Sequence, residues 1–251
     1  MKKPDDLERA IYTQICRSNG IRAREIAAVI GADRTTVNRY LYASPYISDL
    51  CYRDESFRWH GSIRQTVPHR GLSDYAGWYG SAAAFLAQDE ETFLRELERG
   101  CAFIGRNLND TRGLFHSFRD TRETVRGMLA DLAPLTDTSA WELVFELRIR
   151  RSRTIRIYAD VLVIACGRVF SLEFKMKDRI DPGEVSQAAK YAPFLEVIFG
   201  PGWDVIPALV LTRAHDVFTY APLGGSGGEI PVLSGDLLFD LPAEYLGLFS
   251  E

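Results

Sequence analysis

From Trp141 onward the apolar residues of this chain change their period, and that change constrains the fold more than any other feature. Trp141, Leu143, Phe145, Leu147 and Ile149 alternate with polar neighbours, and Ile155 to Ala165 and Val169 to Met176 continue as two further strand-like runs. A period of two belongs to a strand with two distinct faces, not to a helical stripe. A capped helix is then predicted from Pro182 to about Ala192. Asp181 is its N-cap, Pro182 its first residue, and Glu184 is placed for a capping box. Val205 to Leu211 is the next strand, reached by a crossover and therefore parallel to its neighbour. Hairpin-linked strands followed by a helix and a parallel strand predict an α/β core, a mixed sheet flanked by helices.

Upstream the period is helical. Phe93, Leu94, Leu97 and the group Cys101 to Ile104 predict one helix, and Leu114, Phe118, Val125, Met128, Leu129 and Leu132 predict another. Residues 5 to 60 predict three short helices and a hairpin. Leu7, Ile11, Ile15 and Cys16 share one helical face, and Ile26, Ala27 and Ile30 another. The third helix starts after the N-cap Asp33 and carries Val37, Leu41 and Tyr42 inward. Val29 to Asp33 is the short glycine turn of a helix-turn-helix. It leaves Arg34, Thr35, Thr36, Asn38 and Arg39 outward, as candidate contacts to phosphates and base edges. Tyr46 to Arg53 and Phe57 to His60, around Asp54-Glu55-Ser56, predict a two-stranded wing. This segment, about a fifth of the chain, resembles winged-helix domains. The resemblance implies nucleic-acid contact; the plainer reading is a pairing module whose third helix is a solvated face.

At 251 residues, with 46% hydrophobic and 25% charged side chains, two modest cores are expected and nearly all of the chain should fold. The net charge of -4 neither favours nor excludes a nucleic-acid partner, because carboxylates clustered around a metal offset basic surface elsewhere. There is no apolar run long enough to span a bilayer, and Met1 to Asp6 leads into a polar helix, so a cytoplasmic protein without a membrane partner is expected. Cys16, Cys51, Cys101 and Cys166 stand far apart with no CxxC pair, which argues against zinc or iron-sulfur binding and predicts four buried thiols.

The chemistry concentrates on the third strand. Val169, Ser171, Glu173 and Lys175 share one of its faces, and a two-residue hairpin at Cys166-Gly167 would pair 165 with 168 and hence Asp160 with Glu173. Two carboxylates held side by side repel and raise one another's pKa unless a positive group lies between them. A hard divalent cation, magnesium or manganese, fits that need, with Asp160 and Glu173 as its ligands. Lys175 would offset charge on a reacting phosphate.

Asp160, twelve intervening residues, then Glu173-Phe174-Lys175 resembles the D…(D/E)xK core of the restriction-endonuclease-like PD-(D/E)XK nuclease superfamily, with Ala159 where the family name has proline. Gln187-Ala188-Ala189-Lys190-Tyr191 resembles the QxxxY motif of its RecB-like branch, with Gln187 and Tyr191 on one helical face. The likeness covers roughly residues 115 to 215. It implies an upstream acidic residue, for which Glu123 on the preceding helix and Glu146 on the preceding strand are both candidates. Arg148, Arg150, Arg151, Arg153 and Arg156 form a basic run, in which Arg151 and Arg153 are candidate phosphate contacts or simply a solvated hairpin tip.

The expected organisation is a winged-helix DNA-binding domain over 1–61, a linker and helical connector over 62–112, and a nuclease domain over 113–251. The expected function is metal-dependent hydrolysis of DNA phosphodiester bonds, with RNA left open as a substrate. A homodimer or a larger defence or repair complex is the expected setting. The alternatives are a transcriptional regulator, or a complex adaptor, built on a nuclease-like scaffold.

Overall fold

The computed structural model describes residues 6–16, 20–44, 47, 51–54, 56–61, 69–106, 111–151, 156–200, 202–224 and 228–249. The chain divides into two compact units, Met1–Thr66 and Val67–Glu251.

In the first unit, helices α1 (Asp6–Cys16), α2 (Ala23–Ile30) and α3 (Arg34–Ala43) precede an antiparallel hairpin of β1 (Cys51–Arg53) and β2 (Trp59–Gly61). Ile11, Ile15, Ile26, Val37, Leu41 and Ile47 form the core. Gly31 ends α2 in the left-handed region at φ 65°, where glycine escapes the Cβ clash. The Asp33 carboxylate accepts the Thr36 N–H at 2.9 Å and so starts α3. Two expectations fail. Tyr42 is 59% exposed instead of facing inward. Phe57 belongs to the turn, not to the second strand, with φ at 60°. Tyr46 and residues 48–50 lie outside the described residues.

The second unit contains β3 (Trp78–Ser81), α4 (Ala82–Ala87), α5 (Glu90–Phe103), α6 (Thr111–Leu132), β4 (Glu142–Arg151), β5 (Arg156–Ala165) and β6 (Arg168–Lys175). After them come α7 (Pro182–Ala189), α8 (Ala192–Phe199), β7 (Asp204–Leu211), β8 (Phe218–Pro222), β9 (Glu229–Ser234) and α9 (Asp240–Tyr245). The seven strands form one mixed sheet in the order β3-β4-β5-β6-β7-β9-β8. Neighbours are antiparallel except for β6 with β7 and β7 with β9, which are parallel as the helical crossover between β6 and β7 requires. Phe145, Val161, Val163, Phe170, Leu172 and Val210 face one side and pack with residues of α4, α5, α6 and α9. Leu209, Leu211 and Val232 face the other and pack with Val185 and Ala188 of α7. Burying both faces leaves little exposed apolar sheet.

From Val67 onward, the stretch expected as a separate connector is part of this unit. β3 pairs with β4, and Phe85, Phe93 and Leu97 share a core with the sheet. Trp78, Phe85, Phe93 and Phe145 stack at centroid distances of 5.0–5.9 Å, each such pair adding about 0.5–1.5 kcal/mol beyond burial. A four-residue strand containing Gly80 has too few positions to show a period. α5 approaches the sheet so closely that a Cβ on Gly100 would lie 1.9 Å from the Gly77 carbonyl oxygen.

Cys166 and Gly167 have φ of 50° and 76°, the two left-handed positions of a two-residue hairpin, and Ala165 pairs with Arg168 as expected. The turn leaves Cys166 exposed while Cys51 and Cys101 are buried, so the thiols are not uniformly interior; the side chain of Cys16 lies outside the described residues. The helix expected to reach Ala192 instead breaks at Lys190 and Tyr191. Pro193 has no N–H for the Ala189 carbonyl and takes the second position of a new helix. Glu184 closes no capping box; it pairs with Lys177 at 2.6 Å, and Asp181 alone caps the Gly183 and Glu184 amides. No helix among the described residues is long and apolar enough to cross a membrane.

Candidate active site

Three acidic residues fall in one row across β4, β5 and β6. Val161 pairs with Leu172 and Phe145 with Val161, so the same registers set Asp160 opposite both Glu173 and Glu146. All three project to the α7 side of the sheet, because Phe145, Val161, Leu172 and Phe174 point to the other. Glu146 breaks the regular ladder. It sits at φ 55°, and the Gly77 N–H is shared between the Phe145 and Glu146 carbonyls at 2.9 and 3.2 Å.

Each carboxylate has a different set of partners. An Asp160 oxygen accepts the Phe174 backbone N–H at 3.0 Å. Glu173 is 2% exposed, and its Oε1 accepts from Lys175 Nζ at 2.7 Å and from Gln187 Nε2 at 2.6 Å. Its Oε2 is buried with no hydrogen-bond partner among the described residues. Gln187 Nε2 also reaches the Tyr191 hydroxyl at 3.2 Å, so the turn at Lys190 keeps both side chains on the sheet despite the helix break. Glu146 is buried and ion-paired with Arg106, Nε to Oε2 at 2.9 Å.

Crowding shows in the protonation energetics. Burial, then the Asp160 charge, push Glu146 up to about 8, against the pull of Arg106. Burial and Asp160 likewise push Glu173 up to about 7, opposed by Lys175 and Tyr191. Asp160 is raised by burial, with the Phe174 amide, Lys175 and Arg106 acting the other way. Burial disfavours the charge on Lys175, yet the Glu173 bond and the neighbouring carboxylates outweigh it and its pKa rises. The cluster is thus short of positive charge.

A cleft of about 550 Å³ opens beside this row at Asp160, lined also by Arg106, Tyr158, Gln187, Lys190 and Tyr191 among others. Arg106 was not anticipated from sequence. It follows α5 through Gly105 at φ 74°, its backbone N–H closes on the Cys101 carbonyl at 2.8 Å, and its guanidinium lies 4.7 Å from the Tyr158 ring centroid. Only the helix C-cap brings it to the cleft, and no spacing rule connects position 106 to position 160.

The structure places Glu123 elsewhere. α6 packs on the opposite face of the sheet, and Glu123 is exposed and paired at 2.8 Å with Arg122, which braces the Gln88 carbonyl at 2.6 Å. Of the two upstream acids, Glu146 is the one beside Asp160. Asp120 pairs with Arg213 at 3.3 Å. Arg148 donates to the Ile104 carbonyl at 2.8 Å and stacks 5.2 Å from the Tyr75 ring, a structural use within the basic run. Arg153 lies outside the described residues, as does the side chain of Arg151. In the N-terminal unit Arg34, Thr35 and Arg39 are exposed on α3, while Thr36 and Asn38 are half-buried.

Among the described residues no group of three or more His, Cys, Asp or Glu side chains forms a preset metal cluster. Asp160 and Glu173, with the unpartnered Glu173 Oε2, are the donors that could hold a hard cation, which commonly takes one or two carboxylates and keeps its waters. Compared with models of known protein families and with curated proteins, the chain matches none.

Proposed function

We propose that the second unit is a divalent-metal-dependent nuclease of the PD-(D/E)XK type, hydrolysing DNA phosphodiester bonds, and that the N-terminal unit is a winged helix that docks on DNA. One observation carries the reading: Lys175 and Gln187 hydrogen-bond Glu173, Tyr191 meets Gln187, and Asp160, Gln187 and Tyr191 line the cleft beside them, brought together from two strands, a helix and the turn after it. A salt-bridged strand face arising by chance gives no reason for Gln187 and Tyr191 to meet Glu173.

In this reading Asp160 and Glu173 hold magnesium or manganese, the unpartnered Glu173 Oε2 and the charge-poor carboxylates being the features that fit it. The cation supplies Lewis acidity toward the scissile phosphate. Lys175 places an ammonium beside the reacting phosphate and offsets the charge that develops as the phosphorus–oxygen bond breaks. Gln187 fixes the rotamer of Glu173, and Tyr191 holds Gln187. Arg106 and Lys190 line the cleft as phosphate contacts, the first kept in place by Glu146.

Incubation of the purified chain with supercoiled, linear and single-stranded DNA, under magnesium, manganese or chelator, tests the proposal. Cleavage that needs the cation and is lost in Asp160→Ala and Glu173→Ala supports it. DNA bound but left uncut under every cation would transfer the assignment to a regulator on a nuclease-like scaffold.

A further inference from the structure

We propose that the cleft in the N-terminal unit is a pocket for one unpaired nucleotide of a DNA strand. The proposal rests on the DNA-docking reading of that unit and goes beyond it. The cleft measures about 450 Å³ and is lined by Arg22, Arg34, Asn38, Tyr42, Phe57 and Trp59 among others. Such a volume lies near the lower end of small-ligand sites and is far too small for a duplex.

Its walls suit a base and a phosphate. Arg34, Asn38 and Tyr42 recur every four residues, so one stripe of α3 forms a wall while Thr35 and Arg39 lie off that stripe. Phe57 is 64% exposed. Its left-handed backbone is held by its own N–H on the Asp54 carbonyl at 3.1 Å and by the Arg58 N–H on Asp54 Oδ1 at 2.8 Å. A bulky residue at positive φ is strained, and here the strain keeps an aromatic ring in solvent at the rim of the cleft.

The Arg53 guanidinium lies 4.8 Å from the Phe57 ring centroid and 5.5 Å from that of Tyr42, and it donates to the Tyr42 hydroxyl at 2.7 Å. One cation thereby positions both rings. Trp59 supports Tyr42 edge-on at 5.2 Å. Arg22 has a buried Nε with no hydrogen-bond partner among the described residues. An aromatic rim stacks any base, Asn38 can read a base edge, and Arg22 and Arg34 can take the attached phosphate. A free nucleotide offers the same groups, so the experiment must separate it from a base within a strand.

The purified chain in chelator, which withholds the cation of the proposed cleavage, is titrated by anisotropy against end-labelled blunt duplex, the same duplex with a single-nucleotide bulge, and a single strand. Deoxymononucleotide serves as competitor. The bulged and single-stranded ligands should bind more tightly than blunt duplex. Phe57→Ala should cost them about ten-fold, the order expected of one base–aromatic stack, and leave blunt duplex unchanged. Phe57→Tyr should keep affinity and Phe57→Leu should not, while the exposed position keeps all three variants folded. Equal binding of bulged and blunt duplex, indifferent to Phe57, overturns the pocket and leaves DNA docking intact. Failure to bind any DNA overturns both. A mononucleotide that binds as tightly as the strand makes the ligand a free nucleotide and overturns the strand assignment.

Discussion

The cleft of the second unit is lined by Asp160 and backed by the buried, crowded Glu146 and Glu173 of neighbouring strands, whereas the cleft of the N-terminal unit is walled by arginines and aromatic rings on a helix face and a turn. The first holds carboxyls that resist ionising together and keep protons toward neutral pH. The second holds cations and rings that already support each other. A group buried against like charge is costly and waits for a counter-ion; an exposed arginine beside a ring costs little and waits for a polyanion. Substitutions in the two clefts should therefore differ in kind: the one altering chemistry and stability, the other altering binding alone.

The sharpest way to break this contrast is Asp160→Ala or Glu173→Ala. Each should lower the cleavage rate by on the order of a thousand-fold or more, since the cation site is lost, while DNA affinity in chelator stays within about two-fold. Steady-state cleavage and anisotropy on the same preparations check both halves. Comparable loss of binding would show that the two clefts do not divide the work.

Lys175→Ala should cost about a hundred-fold in kcat with KM little changed, as for a group that acts on developing charge. A rise in KM at constant kcat would instead make Lys175 a ground-state contact.

Gly100→Ala probes how far the acidic cleft depends on the core beneath it. The added Cβ collides with the Gly77 carbonyl, so we expect about 3 kcal/mol of destabilisation by urea titration. Arg106 is displaced with α5, raising KM in whatever protein remains folded. Wild-type stability in this variant would mean that the helix is not pinned at that contact.

The pH response of the metal-free protein follows from the raised carboxyls. Glu146 at about 8 and Glu173 at about 7 bind protons in the folded state that an unfolded chain has already released. Stability contributed by those protons is complete below about pH 4.5 and is lost as pH rises toward about 8. Melting temperature in chelator should therefore fall across that window, and added manganese should restore more of it at the alkaline end. A flat chelator profile together with no response to manganese would contradict the crowded-carboxylate description.

The smallest effect is expected in the N-terminal unit. Arg34→Ala and Arg39→Ala should each reduce the salt dependence of DNA binding by about one counterion, with cleavage of already bound substrate unaltered. An unchanged salt slope would remove α3 from the DNA contact.

Much of the second cleft was legible in the sequence because a two-residue turn leaves the register no freedom. Once Cys166-Gly167 is the turn, Asp160 must oppose Glu173. Gln187 was legible through a capped helix start. Arg106 was not, because a helix cap and a glycine contact in the tertiary fold bring it there. Glu123 was misplaced for a related reason: periodicity states which residues share a helix face, but not which side of the sheet that helix covers. Trp78 to Ser81 went unseen as a strand because pairing with β4, not its own pattern, makes it one.

Glu146 combines a left-handed backbone with a buried carboxyl ion-paired to Arg106. Both features work against folding, and glycine at this position would relieve the first and remove the second. A library screened only for thermal tolerance should therefore drift toward Glu146→Gly and lose the acid beside Asp160, so that heat resistance and the proposed catalysis compete at a single codon.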